Sequence, residues 1–455
     1  MLMEADQMTA WKVRGLAAAM LATAAAAVAL VAPGGAAAAC SGANIEGNGA
    51  SVEANAHKLW EGAFNAKCVG TEQVKYISTS SSKGVESWNV GKVAGKFLGF
   101  GPNNACVATD TPPNAGQEGE ILEKETLGSG AKVLTIPVLQ FADALPIHLP
   151  EGCTASSGKG KKAIGRLVLS EAQVQGIFAH TITTWAQLVE GANNFNEDKL
   201  VGASCDSSAP IVRVVRKEGA GTTSVLEKVF FEINKNPVDG SKTWNVLAEE
   251  TENTLWPDEA ENLVRGEKNS GVISAVVKTA GSIGYANLPE VRANTAFTTA
   301  GGGGEGTATF WPEVQNDGKK FADPSTDGDS PTVANANCAG EDYVSLNGEG
   351  KQAKFPPEST EDVWNEVTAS ATEKKSYVFC GFAYVLSLTE FANFPATTEA
   401  EVTTLTDYFG FVLGSGAGEG QTILNNNDYL GLPEAKKEAG NVLDIARKGV
   451  AKIAF

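Results

Sequence analysis

The most chemically suggestive stretch of this sequence is an arginine that ends an apolar run and opens onto a loop of very small residues. Ile211 to Val215 is a largely β-branched run that stops at Arg216. Glu218-Gly219-Ala220-Gly221-Thr222-Thr223 follows, and then Val225, Leu226, Val229 and Phe230 recur at helical spacing. A strand, a small-residue loop and a helix leave unpaired backbone N–H groups at the helix mouth, a natural place for an anion. Arg216 adds fork-shaped donors beside them. Three further junctions present small or hydroxyl residues: GNGAS (47–51), STSSS (78–82) and TDT (109–111). The last carries Asp110. A carboxylate repels an anion unless the anion has a proton to donate; phosphate near neutral pH has one and sulfate does not. Taken singly, each loop reads as ordinary turn chemistry, and Arg216 as a structural partner of Glu218. Four such junctions, one with Arg216 and one with Asp110, point instead to a protonated oxyanion.

The elements that must hold these loops alternate between strand and helix. Residues 45–64 and 74–88 each read as strand, small-residue loop and helix, the first helix carrying Leu59, Trp60 and Phe64. Residues 105–114 read as a strand ending at Asp110 and stopped by Pro112 and Pro113. The run 133–149 reads as one or two buried strands broken by Pro137. Ser170 and Gln173 form a helix-start signature, with Val174 and Ile177 facing the core. Residues 270–288 give a helix and a glycine-bounded strand. Residues 300–375, rich in Gly, Asp, Pro and Thr, read as an irregular surface region, and a C-terminal helix is expected from Pro433 to Ile453. Repeated βα units predict largely parallel sheets with helices on both faces, and ligands then sit beyond the carboxyl ends of the strands.

Composition narrows the function class. The 455-residue chain is 42% hydrophobic and 20% charged, with a net charge of −18. That balance argues against a nucleic-acid binder. Lys12 and Arg14 precede an apolar run from Leu16 to Val31 and small residues up to Ala39, which is the pattern of a cleaved signal peptide over 1–39. The mature chain is expected outside the cytoplasm: periplasmic, cell-surface or extracellular. Cys40 is either a lipid-anchor site, with Ala37 in place of the usual leucine, or a disulfide partner. Seven cysteines in an oxidising compartment leave one unpaired. Spacing does not determine the pairing; the expected arrangement is 40–68, 153–205 and 338–380, with Cys106 buried and free. The three histidines, His57, His148 and His180, have no metal-ligand spacing, and no Gly-x-x-x-x-Gly-Lys-Ser/Thr nucleotide loop occurs. A metal, a cofactor and an enzymatic activity are therefore not expected. His57 is placed on the first helix as surface chemistry.

In their order along the chain, these motifs resemble those of the phosphate-binding proteins of phosphate-specific ABC importers. GNGAS with Lys58 and Trp60 resembles the family's first Gly-Ala-Gly-Ala-Thr loop, and YISTSSSKGV its second. ATDTP resembles Ala-Ser-Asp-Ala-Pro, and GIFAHTITTWAQL resembles Ile-Phe-x-Gly-x-Ile-x-x-Trp. VVRKEGAGTTS resembles Arg-x-Asp-Gly-Ser-Gly-Thr, and AGSIGY resembles Pro-Gly-Ser-Ile-Gly-Tyr. The resemblance spans most of the mature chain and is weakest over 290–375. It implies a two-lobe α/β periplasmic-binding-protein fold with the ligand cleft between lobes of 41–136 plus 289–455 and of 137–288. The lobes would be joined near Thr135–Leu139 and Ile283–Leu288. It also implies a monomer that captures phosphate by hinge closure and delivers it to a membrane permease with a cytoplasmic ATPase. Ser51, with the backbone around Ala50 and Val52, and Ser81 would be donors; Asp110 would accept the phosphate proton; Arg216 would supply charge; Ala220, Gly221 and Thr222 would cap the ligand, and Glu218 would brace Arg216. Ala220 stands where the family has serine, so one donor is lost, worth roughly 1–2 kcal/mol. Glu218 replaces an aspartate and Val52 a phenylalanine, the latter keeping its backbone donor. Two other readings stay open: a binder or sensor of another oxyanion on the same fold, and a secreted phosphohydrolase using Ser51 or Ser81 with His57.

Overall fold

The computed structural model describes residues 42–455 apart from 69–72, 89–105, 123–129, 157–164, 191–193, 235–236, 240–241, 245–253, 298–306, 328–332, 339–342, 347–351, 370, 373, 393–396 and 435–440. Two strand–loop–helix units come first: β1 (Ile45–Gly49) with α1 (Ala54–Asn65), and β2 (Val74–Ser78) with α2 (Ser81–Ser87). β3 (Cys106–Thr109) ends beside Asp110, and the long β4 (Val133–Ala144) leads into the short β5 (Ile147–His148). After α3 (Glu171–Phe178) come β6 (Val212–Arg216), α4 (Gly221–Ile233), β7 (Leu263–Gly266), α5 (Lys268–Lys278), β8 (Ser282–Gly284), β9 (Ala286–Asn287) and α6 (Leu288–Ala293). β10 (Thr309–Phe310), β11 (Tyr343–Leu346), β12 (Val367–Ala369), β13 (Cys380–Leu388), α7 (Glu399–Val412) and α8 (Val442–Val450) complete the elements that matter for the site.

Two main sheets result, one for each lobe of the fold, while β11 and β12 pair in a smaller separate sheet. The first runs β9-β4-β13-β3-β1-β2 and the second β7-β6-β8-β5-β10. Within the βα units the ladders are parallel, as expected: β1 with β2 and β3, and β6 with β7 and β8. The remaining pairs are antiparallel, because β4, β5, β9, β10 and β13 enter the sheets without a crossover helix of their own. β13 and β4 are buried along their whole lengths and form the centre of the first sheet. α4 buries Leu226, Val229 and Phe230, and α3 carries the expected capping box from Ser170 and Gln173 while burying Val174 and Ile177.

Three expectations change. β4 is not broken at Pro137: it continues to Ala144, and its register against β13 shifts so that Pro137 faces Tyr384 while Leu139 faces Ala383. The extra residue, Val138, makes a bulge, which is where a strand tolerates a residue that has no N–H. Residues 137–144 therefore complete the first sheet. The chain leaves that sheet at Leu145–Pro146, later than Thr135–Leu139, and returns to it at Tyr285. The stretch 300–375 is not wholly surface. β10 extends the second sheet, the strand Glu313–Gln315 pairs with Val168–Ser170, and Trp311 and Trp364 are fully buried. Among the described residues of the expected C-terminal helix only Val442–Val450 are helical, and 435–440 lie outside the described residues.

Cys153–Cys205 and Cys338–Cys380 are disulfides, and Cys106 is buried and free. Cys68 is also disulfide-bonded; Cys40, its expected partner, lies outside the described residues, as do the signal peptide and GGGGEG at 301–306. Among the described residues no helix is long and apolar enough to cross a membrane.

Candidate functional site

Parallel pairing brings the loops together. β1, β2 and β3 run in one direction, with Gly49 opposite Ser78 and Ala108, so Ser51, Ser81 and Asp110 emerge at one edge of the first sheet. β6 and β7 are parallel with Arg216 opposite Gly266, which places Arg216 and the start of α5 at the corresponding edge of the second sheet. The two edges face each other: Ser82 donates to Gly219 O at 3.2 Å, the Lys268 ammonium to Ser78 O at 3.0 Å, and the Gly221 N–H to Asp110 Oδ1 at 3.0 Å. Ser51, Ser81, Asp110, Arg216, Glu218, Ala220, Gly221 and Thr222 lie along these facing edges, and all but Glu218 are buried.

Asp110 sits at the N-terminus of α4, where aligned peptide dipoles favour negative charge. The Ser81 hydroxyl donates to the same Oδ1 that receives the Gly221 N–H. Burial pushes the Asp110 carboxyl above the usual aspartate range; Arg216 and the N–H groups of Gly221 and Thr222 pull the other way without cancelling it. The approach is so close that a Cβ on Gly221 would collide with the Asp110 carboxyl carbon, so only glycine fits. Ala220 is the N-cap of α4, with extended backbone and no side-chain cap.

Arg216 is held on every side. Its Nε and Nη2 both donate to Glu218 Oε1, at 3.1 and 2.5 Å, and its Nη1 donates to Thr222 Oγ1 at 3.0 Å and Asn269 Oδ1 at 3.2 Å. Glu218 also accepts the Lys268 N–H at 2.8 Å, so the longer acid braces the guanidinium and ties it to α5. Tyr285, at the crossing between the two sheets, accepts the Arg216 N–H at 3.1 Å and shares a 2.6 Å hydrogen bond with Thr223 Oγ1. One guanidinium thus stands among Asp110, Glu218 and two further carboxyls, the half-buried Glu290 and the buried Asp143. Burial raises both of these above their ordinary ranges, Asp143 strongly, and both Asp143 oxygens lack a hydrogen-bond partner.

The structure revises several local assignments. The N–H groups of Gly221 and Thr222 face Asp110 itself. The Ala50 N–H is used within the first sheet, donating to Ala108 O at 2.8 Å, and the Val52 carbonyl is held by Asn287 Nδ2 at 2.9 Å and the Tyr429 hydroxyl at 2.7 Å. His57 is buried rather than on the surface. It stacks on Tyr76, bonds the Tyr408 hydroxyl through Nδ1 at 2.9 Å and has Glu53 Oε2 3.3 Å from Nε2; burial holds its pKa at about 3. Ser81 is committed to Asp110, and neither nitrogen of His57 is directed at a serine. Sequence reasoning missed Lys268, Asn269, Tyr285 and Glu290. The β7–α5 junction is a fifth loop at the same edge, but it is neither glycine-rich nor rich in hydroxyls.

A comparison with curated proteins finds no match. Among solved structures, a phosphate-binding protein from Stenotrophomonas maltophilia is similar at 17% identity, over 89% of this chain and 93% of that one, with a TM-score of 0.56. A human phosphate-binding apolipoprotein is similar at 17% identity, over 90% of this chain and 93% of that one, with a TM-score of 0.53. The high-affinity periplasmic phosphate-binding protein PfluDING, solved with phosphate bound, is similar at 17% identity, over 90% and 99%, with a TM-score of 0.51. At such identity the likeness is one of fold. The family described as the PBP superfamily domain matches residues 34–348, spanning β1 to β11 and with them every loop that meets at this site. The chain is a member of the PBP superfamily.

Proposed function

We propose that this protein captures inorganic phosphate between its two lobes, outside the cytoplasm, and delivers it to an ABC permease powered by a cytoplasmic ATPase. The observation that carries the reading is the meeting of buried Arg216 and buried Asp110 at the N-terminus of α4. That arrangement calls for a ligand with acceptors for the guanidinium and N–H groups and with one proton for the carboxylate. Hydrogen phosphate has both. Its oxygens take over the Gly221 and Thr222 N–H groups from Asp110, its P–OH donates to Asp110, and Ser51, Ser81 and Arg216 supply the remaining donors. Val52 contributes through its backbone, and Ala220 brings no hydroxyl. The three similar structures described above are named for phosphate binding, which supports the same ligand.

The lobes divide at the points where the chain changes sheets, Leu145–Pro146 and Tyr285, and the ligand favours the closed state because it contacts both. The chain acts as a monomer and as a binder. A phosphohydrolase would need a base beside Ser51 or Ser81, and His57, held neutral between Tyr408 and Glu53, is turned to other partners. The permease partner follows from the motif resemblance. Calorimetric titration with phosphate, then with sulfate at equal ionic strength, tests the reading. Micromolar or tighter phosphate binding without sulfate heat is expected. Sulfate binding, or no phosphate binding, would turn the assignment to another oxyanion.

A further inference from the structure

One side chain that touches a predicted donor in each half of the site belongs to no glycine or hydroxyl loop. Asn269 lies in the first turn of α5, just past the carboxyl end of β7, and is fully buried. Its Oδ1 accepts from Arg216 Nη1 at 3.2 Å. Its Nδ2 donates to Glu290 Oε1 at 2.7 Å and, over a longer 3.4 Å, to Ser51 Oγ. These neighbours fix the orientation of the amide. A guanidinium only donates, so the carbonyl oxygen must face Arg216, and the NH2 group is then turned to Glu290 and Ser51. Ser51 belongs to the loop after β1 in the first sheet, and Arg216 ends β6 in the second. A serine hydroxyl that accepts on one side keeps its proton for a partner on the other.

We propose that Asn269 is a positioning residue of the anion site: it turns the Ser51 hydroxyl into a donor toward the bound phosphate while holding the Arg216 guanidinium from the opposite lobe. The proposal rests on the phosphate reading and adds a residue to it. It also gives lobe closure a direct consequence, because the Ser51 contact exists only when the first-sheet loop meets α5.

The test is a double-mutant cycle on the full protein, read by calorimetry with inorganic phosphate. Asn269→Ala is expected to weaken phosphate binding roughly tenfold, the loss of about one charge-assisted hydrogen bond. In a Ser51→Ala background the same change is expected to cost no more than about threefold, because the proton being directed is gone. A residue that merely stabilises α5 would weaken binding by the same factor in both backgrounds, and that result would overturn the proposal, as would unchanged binding in Asn269→Ala. Melting without phosphate reports whether each chain folds. If Asn269→Ala does not fold, Asn269→Ser goes through the same cycle with the same expected coupling. Absence of phosphate binding in the unmutated protein would be a different failure, sinking the ligand assignment and the inference with it.

Discussion

Replacing Asp110 by asparagine tests the chemistry of the site with little change in shape. The amide oxygen can still accept the Gly221 N–H that now lies 3.0 Å from Oδ1, and the NH2 group adds a donor where there was none. In the native protein a sulfate oxygen would have to face the carboxylate. Two like charges about 4 Å apart at an effective dielectric near 20 repel by about 4 kcal/mol. An acceptor left unpaired on burial adds roughly 1–3 kcal/mol. Together these predict sulfate rejection of about 5–7 kcal/mol, a ratio of roughly 10⁴ to 10⁵ in Kd. In Asp110→Asn the repulsion disappears and the amide can donate, so the ratio should fall to within about a hundredfold, while phosphate still finds an acceptor for its P–OH. The assay is calorimetry with both anions at pH 8 and equal ionic strength, with a thermal melt as the folding control. The variant should fold at least as well as the native chain, because a carboxyl whose pKa burial has raised becomes a neutral amide. Sulfate discrimination that survives unchanged would refute the reasoning and remove Asp110 from its role.

Further consequences follow from other side chains. Ala220→Ser should gain on two counts: its hydroxyl oxygen can cap α4, which lacks a side-chain cap, adding about 1 kcal/mol to stability, and its proton can restore the missing ligand donor, tightening phosphate binding several-fold; melts and titrations that both stay unchanged would refute this. Asp143 and Glu53 have pKa values raised by burial, so the native state holds their protons more tightly than the unfolded state; stability should be fully present below the unfolded carboxyl range and fall as pH rises toward the folded values. Asp143→Asn should accordingly stabilise the protein by roughly 1–3 kcal/mol at pH 8 and flatten the pH dependence, read by denaturant titration at pH 5 and pH 8. Cys106, buried with its thiol pushed up to about 12, should not react with a thiol reagent until the protein unfolds, and rapid labelling of the native state would contradict its position.

The legible parts of the site are those where the backbone imposes a residue type. Gly221 must be glycine because a Cβ would strike Asp110, and Gly49, at φ 142°, lies against Ala108 O. Such constraints leave small residues in the sequence at each strand end, and four of the five junctions could be found that way. The fifth could not. Asn269 works through its amide, and a lone asparagine after a four-residue strand has the composition of any surface turn. The fold follows the same division. Parallel βα units announce themselves by alternation, whereas β10, with two residues, and β12, with three, fall below the length at which periodicity can be read, even though Trp311 and Trp364 nearby are buried. Pro137 misled for a related reason: proline is a sound signal against a regular ladder, but sequence does not reveal the bulge at Val138 that admits it.

The electrostatics explain why the anion loops alone do not define this site. A cleft built only from N–H groups, serines and an arginine would accept any compact oxyanion. Here the single buried guanidinium of Arg216 is outnumbered by Asp110, Glu218, Glu290 and Asp143, in a protein whose net charge is −18. Burial raises the pKa of Asp110 and Asp143 above the usual carboxylate range, which makes a proton-bearing partner the more favourable one for Asp110. The surplus of acid makes protonation part of recognition, since any anion entering must bring a proton or leave a carboxylate facing an unpaired oxygen. On the proposed reading, selectivity resides in the acids, and affinity in the Arg216 and α4 donors that those acids hold in place.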